Sequence, residues 1–136
     1  MLVETLGITF QDVAPKRVEA VFVVTPELTQ PHGFLHGGAT LALLETVASR
    51  GAEQWTDLET ERPFGVDISV RHRHPARVED RVYGCATLDR EEPSSVSGRK
   101  QFWNVEAYLE DGTIVSSGTM MIKIVPLTRL AEKASS

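Results

Sequence analysis

A histidine and two glycines, His36-Gly37-Gly38, stand at the head of an apolar run, and one carboxylate, Glu45, follows seven residues after the second glycine. The run has helical periodicity, so its first backbone N–H groups lack carbonyl partners and carry a partial positive charge. The neighbours of Glu45 at helical spacing include Leu41, Ala42, Ala48 and Ser49, none of which can pair its charge. We therefore expect an unpaired acid on a core-facing stripe, a costly arrangement unless the acid has chemical work to do. N–H donors at a helix start and a nearby carboxylate are the parts needed to polarise and attack a carbonyl carbon. Taken singly each part has a plainer reading, with Glu45 an ordinary exposed helix acid and Gly37-Gly38 a flexible turn.

The elements that must position these groups follow from periodicity and turn chemistry. Residues 7–24 read as two short strands broken by the turn Ala14-Pro15-Lys16, and Pro26, Pro31 and Gly33 mark an irregular loop. Residues 38–54 are the one clear helix, its predicted apolar stripe being Leu41, Leu44, Ala48 and Ala52. Residues 55–63 read as a loop closed by Pro63, and four strands follow at roughly 64–73, 78–89, 98–109 and 113–125. The polar stretch Glu91-Glu-Pro-Ser-Ser reads as a loop, and Asp111-Gly112 between alternating runs signals a hairpin. One helix among these strands predicts an α+β domain with the helix laid on a long antiparallel sheet of five to six strands. The expected organisation is a single domain over 1–127 and a C-terminal tail over 128–136. An open sheet edge makes self-association the natural way to cover it.

Composition narrows the class. With 14 basic against 19 acidic residues and a net charge of −5, the chain has no basic stripe to hold a nucleic-acid backbone, so none is expected as partner. The single cysteine, Cys85, cannot form an internal disulfide, and no run has the length of a membrane span, which together predict a cytoplasmic protein without a membrane partner. His72 and His74 share a strand face, but no third ligand stands at a recognisable spacing, so no metal is expected.

The stretch Gln30-Pro31-His32-Gly33-Phe34-Leu35-His36-Gly37-Gly38-Ala39, with Glu45 and Ser49 in step, resembles the hotdog-fold acyl-CoA thioesterases. Within them it is most similar to the aryl-CoA hydrolase branch, which contains the glutamate-type 4-hydroxybenzoyl-CoA thioesterases, the 1,4-dihydroxy-2-naphthoyl-CoA hydrolases and the enterobactin proofreading thioesterase. The segments Val66-Asp67-Ile68-Ser69-Val70-Arg71-His72 and Gly98-Arg99-Lys100-Gln101-Phe102-Trp103 extend the likeness over residues 5–125. His32 stands where the branch carries an aromatic residue and Arg71 where it carries a small polar one, departures that bear on acyl-group choice.

The resemblance implies a hotdog fold and hydrolysis of an acyl-CoA bearing an aromatic or compact acyl group, with no cofactor. It implies Gly37 N–H as the donor to the carbonyl oxygen, Gln30 as an amide directed at the acyl group or the water, and Glu45 as nucleophile or general base. Ser49, one turn beyond Glu45, would hydrogen-bond the carboxylate or the water, and His36 would orient the loop and Gln30. The pocket would lie between subunits of a homo-oligomer, a tetramer built as a dimer of dimers. Gly38 and His72 are the expected pocket residues, His72 on the partner-side wall, and Arg71, Arg73, Arg99 and Lys100 are candidates for the nucleotide phosphates. An acyl group carried by a carrier protein, or acyl-CoA binding without turnover, are the alternative readings.

Overall fold

The computed structural model describes residues 1–95 and 97–128. From residue 129 onward the expected tail lies outside the described residues. Six strands form one antiparallel sheet: β1 (Thr9–Ala14), β2 (Arg17–Val23), β3 (Glu61–His72), β4 (Arg81–Pro93), β5 (Arg99–Leu109) and β6 (Ile114–Pro126). Their spatial order is β1-β2-β4-β5-β6-β3, so β1 and β3 are the edges. A four-residue helix α1 (Leu2–Thr5) opens the chain, and the long helix α2 (Gly37–Glu53) lies across one face of the sheet. This is the hotdog architecture, a helix wrapped by a long antiparallel sheet.

The helix buries Leu43, Leu44, Val47, Ala48, Gly51 and Ala52 against the sheet. A glycine is required at position 51, because a β-carbon there would stand 2.4 Å from Cη2 of the fully buried Trp103. The Trp103 indole N–H donates to Gln101 Oε1 at 3.1 Å, and Gln101 Nε2 donates to Glu91 Oε1 at 3.1 Å, which satisfies two buried polar side chains in series. The helix C-terminus is tied to the β1–β2 turn by Gln54 Nε2 donating to Ala14 O at 2.8 Å and by the Trp55 indole donating to Pro15 O.

Helix α2 and the Asp111-Gly112 hairpin stand where patterning predicts, with Gly112 in the left-handed region at φ 91° and Thr113 N–H donating to Asp111 Oδ1. Other segments differ. Strand β4 runs through Glu91 and Glu92 to Pro93, because a bulge between Leu88 and Arg90 restores its pairing with β5 and sets the Arg90 guanidinium 3.9 Å over the Phe102 ring. Strand β3 begins at Glu61 and includes Pro63, which an edge strand tolerates because one side of its backbone has no pairing neighbour. The short α1 carries too little sequence for periodicity; the Ile8 N–H to Val3 O bond at 3.0 Å and the packing of Val3 and Leu6 on the core hold it.

Candidate active site

Residues 28–36 approach the head of α2 through Leu35 N–H to Ala76 O and His36 N–H to Leu28 O, both 2.8 Å. His36 is the N-cap: its backbone is extended (φ −65°, ψ 131°) and its Nδ1 accepts from Gly38 N–H at 2.8 Å. The backbone O of His36 takes Ala39 N–H at 3.0 Å. Gly38 N–H is thus occupied, whereas Gly37 N–H has no acceptor among the described residues.

Gly37 lines a cleft of about 410 Å³ together with Gln30, Thr40, His72 and Val115. Gln30 Oε1 accepts from the backbone N–H groups of His32 and Phe34, the latter at 3.5 Å, which orients the side chain so that its NH₂ end is left without an acceptor among the described residues. His72, the last residue of β3, reaches the same cleft. Its Nδ1 is 2.7 Å from Ser116 Oγ, and its Nε2 lies 2.8 Å from the point a β-carbon on Gly37 would occupy. Gln30, Gly37 and His72 therefore meet on one chain.

Glu45 does not lie on the core-facing stripe. It is exposed, because the buried face of α2 runs through Leu43, Leu44, Val47 and Ala48 and turns Glu45 toward the β3 edge. Leu41, expected in the apolar stripe, is only half-buried. The carboxylate has no hydrogen-bond or ion-pair partner among the described residues and lies over Gly65 of β3, with Oε1 3.1 Å from that glycine's would-be β-carbon. Glu45 and Ser49 line a second, largely apolar concavity of about 490 Å³ with Val3, Phe10 and Ala42. Gly37 and Glu45 are eight residues apart, about 12 Å along the helix axis, so one chain does not bring the carboxylate to the Gly37 cleft.

The basic candidates separate. Arg71 is exposed, without a polar partner among the described residues, and adjoins His72 on the strand, so it projects from the opposite sheet face. Lys100 is half-buried and likewise unpartnered among the described residues. Arg73 lines the Gly37 cleft and donates through Nε to Ser117 Oγ at 2.8 Å. Arg99 is engaged structurally: it pairs with Glu61 at 2.6 Å and with Glu91 at 2.9 Å, and donates to Trp55 O. The hydrogen bond from Arg99 is the main reason the Glu61 carboxyl sits below the usual carboxylate range. A phosphate contact from Arg99 would have to displace these carboxylates.

Ser116 is the contact that sequence reading missed. Among the described residues it is one of three buried polar ones, and its inward position in the alternation with Met120, Ile122 and Ile124 was the available signal. Among the described residues no three His, Cys, Asp or Glu side chains group as a metal site, and no helix is long and apolar enough to cross a membrane.

The model of the Thioesterase superfamily matches residues 32–116. The 1,4-dihydroxy-2-naphthoyl-CoA hydrolase of Escherichia coli (strain K12) is 31% identical over 91% of this chain and 86% of its own length. The proofreading thioesterase EntH of Cronobacter turicensis is 34% identical over 82% of this chain and 76% of its own. A shorter match, 42% identical, to the ComA2 protein of Bacillus subtilis covers 52% of this chain and 56% of that protein. Among solved structures, a thioesterase of Staphylococcus aureus superposes with a TM-score of 0.85 at 26% identity, over 92% of this chain and 98% of that one. AziG of S. sahachiroi superposes with a TM-score of 0.82 at 32% identity, over 93% and 97%. A family match that runs from the loop before the glycine-headed helix to the strand facing it, on a sheet shared with solved thioesterases, establishes that this chain belongs to the Thioesterase superfamily and is a thioester hydrolase.

Proposed function

We infer that the protein hydrolyses acyl-CoA thioesters bearing an aromatic or compact acyl group, at a site that two copies of the chain build together. The observation that carries this reading is the separation of its parts. Gly37 N–H, the Gln30 amide and His72 share one cleft, while the unpartnered Glu45 lies on another beside the free edge of β3.

That edge exposes Phe64 at 46% and Val66 at 53%, an apolar strip suited to pairing with a second copy. An antiparallel β3–β3 pair about a two-fold through Ser69, with Val66 the extra residue at the β3 bulge, would set His72 of one copy across from Gly65 of the partner subunit. Glu45 of the partner subunit, lying over that Gly65, then faces the Gly37 cleft. Two equivalent sites result, as two-fold symmetry requires.

The thioester carbonyl oxygen would accept from Gly37 N–H, which stabilises the charge that develops on attack. Glu45 of the partner subunit would either attack the carbonyl carbon, giving a mixed anhydride that water then hydrolyses, or take a proton from an attacking water. In both routes the C–S bond breaks, the CoA sulfur is protonated and a free acid leaves. Ser49 of the partner subunit, one turn from Glu45, would hydrogen-bond the carboxylate or the water. The apolar concavity of Val3, Phe10 and Ala42 would receive the acyl group, with Arg71, Arg73 and Lys100, which form no ion pair among the described residues, as the candidates for the nucleotide phosphates.

The test is thiol release from benzoyl-, 4-hydroxybenzoyl-, phenylacetyl-, 1,4-dihydroxy-2-naphthoyl-, hexanoyl- and palmitoyl-CoA by the wild type and by Glu45→Ala. Turnover that depends on Glu45 and favours the aryl thioesters supports the proposal. A preference for palmitoyl-CoA overturns the acyl class. No turnover by folded protein overturns the CoA-hydrolase reading in favour of a carrier-protein substrate, which presents the same phosphopantetheine arm, or of acyl-CoA binding without turnover.

A further inference from the structure

We propose that Ser116 is a positioning residue that holds His72 as the Nε2–H tautomer, so that a second N–H donor stands beside Gly37 N–H in the cleft. The proposal rests on reading that cleft as the seat of the thioester carbonyl.

Ser116 and His72 are direct cross-strand partners between β6 and β3, and Ser116 Oγ lies 2.7 Å from His72 Nδ1. The hydroxyl is fully buried, and on its other side the cross-strand partner is Ala107, itself fully buried and apolar. Among the described residues His72 Nδ1 is the one side-chain group bonded to that hydroxyl. A buried O–H needs an acceptor, and Nδ1 is the acceptor at hand. Ser116 therefore donates to Nδ1, and the proton of the neutral ring resides on Nε2.

Nε2 is the atom that borders Gly37, 2.8 Å from its would-be β-carbon. In the Nε2–H form the ring adds a donor next to the free N–H at the head of α2. In the other tautomer it would present a lone pair to the same spot and oppose the charge that builds up on the carbonyl oxygen. Donors already aligned before the reaction need no reorganisation when the charge develops. The ring is anchored in the strand by a partner outside the cleft, so its orientation does not depend on the substrate.

The experiment is a long-range ¹⁵N–¹H correlation spectrum of the oligomeric protein labelled at its four histidines, with thiol-release kinetics on the best thioester of the panel. The proposal predicts an Nε2–H signature for neutral His72 in the wild type. In Ser116→Ala, which removes only the buried hydroxyl, the signature moves toward a mixture of tautomers. There kcat falls roughly tenfold while KM stays within about twofold, since orientation rather than ground-state binding is lost. Ser116→Cys, with a weaker donor of similar size, recovers part of both readouts. An Nδ1–H signature in the wild type overturns the proposal, as does an unchanged tautomer and kcat in Ser116→Ala. The wild-type spectrum needs no variant, so a folding defect in Ser116→Ala leaves the test intact. Absence of wild-type turnover overturns the functional reading instead, and the spectrum still decides the tautomer.

Discussion

The Glu45 carboxylate lies over the opening that Gly65 leaves in β3: a β-carbon on that glycine would stand 3.1 Å from Glu45 Oε1 and 2.6 Å from Met120 Cε. This contact joins the candidate nucleophile or base to the free edge of the sheet, the edge a second copy would cover. Met120 can swing its terminal methyl aside for a small group, but a branched side chain must also move the carboxylate. Gly65→Val is expected to lower kcat by about tenfold or more through misplacement of Glu45. Comparing kcat with Gly65→Ala, expected to be milder, checks this.

Glu45→Gln removes the acid function and keeps the side chain's volume. We expect a loss of at least about 10³-fold in kcat. Because Glu45 is exposed and unpaired among the described residues, the melting temperature should barely change. A loss under tenfold with an intact fold would exclude Glu45 as the reacting group.

Gly37→Ala introduces a methyl 2.8 Å from Nε2 of a ring fastened to Ser116. Either the imidazole or the start of α2 must shift, and both disturb the donors of the cleft. The expected outcome is a fall of about 10²-fold in kcat, the scale of losing one oxyanion donor, with a smaller change in KM. Wild-type kinetics in this variant would show that the cleft does not hold the carbonyl.

The Arg99–Glu61 pair should make stability depend on pH. Glu61 is held below the usual carboxylate range, first by the Arg99 hydrogen bond and then by the Asp57 backbone N–H. A depressed carboxylate stabilises the fold above its unfolded pKa, and the contribution disappears as pH falls through the lower folded value. Glu61→Gln should therefore lower stability by about 1 kcal/mol at pH 7, a few degrees in Tm. The gap between variant and wild type should close on acidification below about pH 4. Thermal melts across that range measure it, and a constant gap would assign the effect to packing.

Local chemistry made part of this molecule legible in its sequence. The 3.6-residue period from Leu44 to Ala52 marks α2, and the αL-tolerant Gly112 marks the β5–β6 turn, since both depend on neighbours in sequence. The exposure of Glu45 was hidden because apolar residues on α2 extend beyond the strip the sheet covers. Leu41 and Ala42 are half-buried, and a sheet edge decides which flank stays open. The extension of β4 to Pro93 depends on a bulge that resets pairing with β5. Likewise Ser116 acquires meaning only through a register that sets it opposite His72, 44 residues away. The engagement of Arg99 by Glu61 and Glu91 is of the same kind, three strands meeting at one guanidinium.

The most direct test of a site shared between two copies is complementation of two inactive variants. Gln30→Ala disables the cleft that holds Gly37, and Glu45→Gln disables the carboxylate. Co-refolded in equal amounts, half the dimers are mixed, and each mixed dimer has one site built from the two unaltered halves. The account predicts recovery of roughly a quarter of wild-type thiol release from two preparations that are each nearly inactive. No recovery, with mixed dimers demonstrated by mass, would contradict it and assign Gln30 and Glu45 to sites within a single chain.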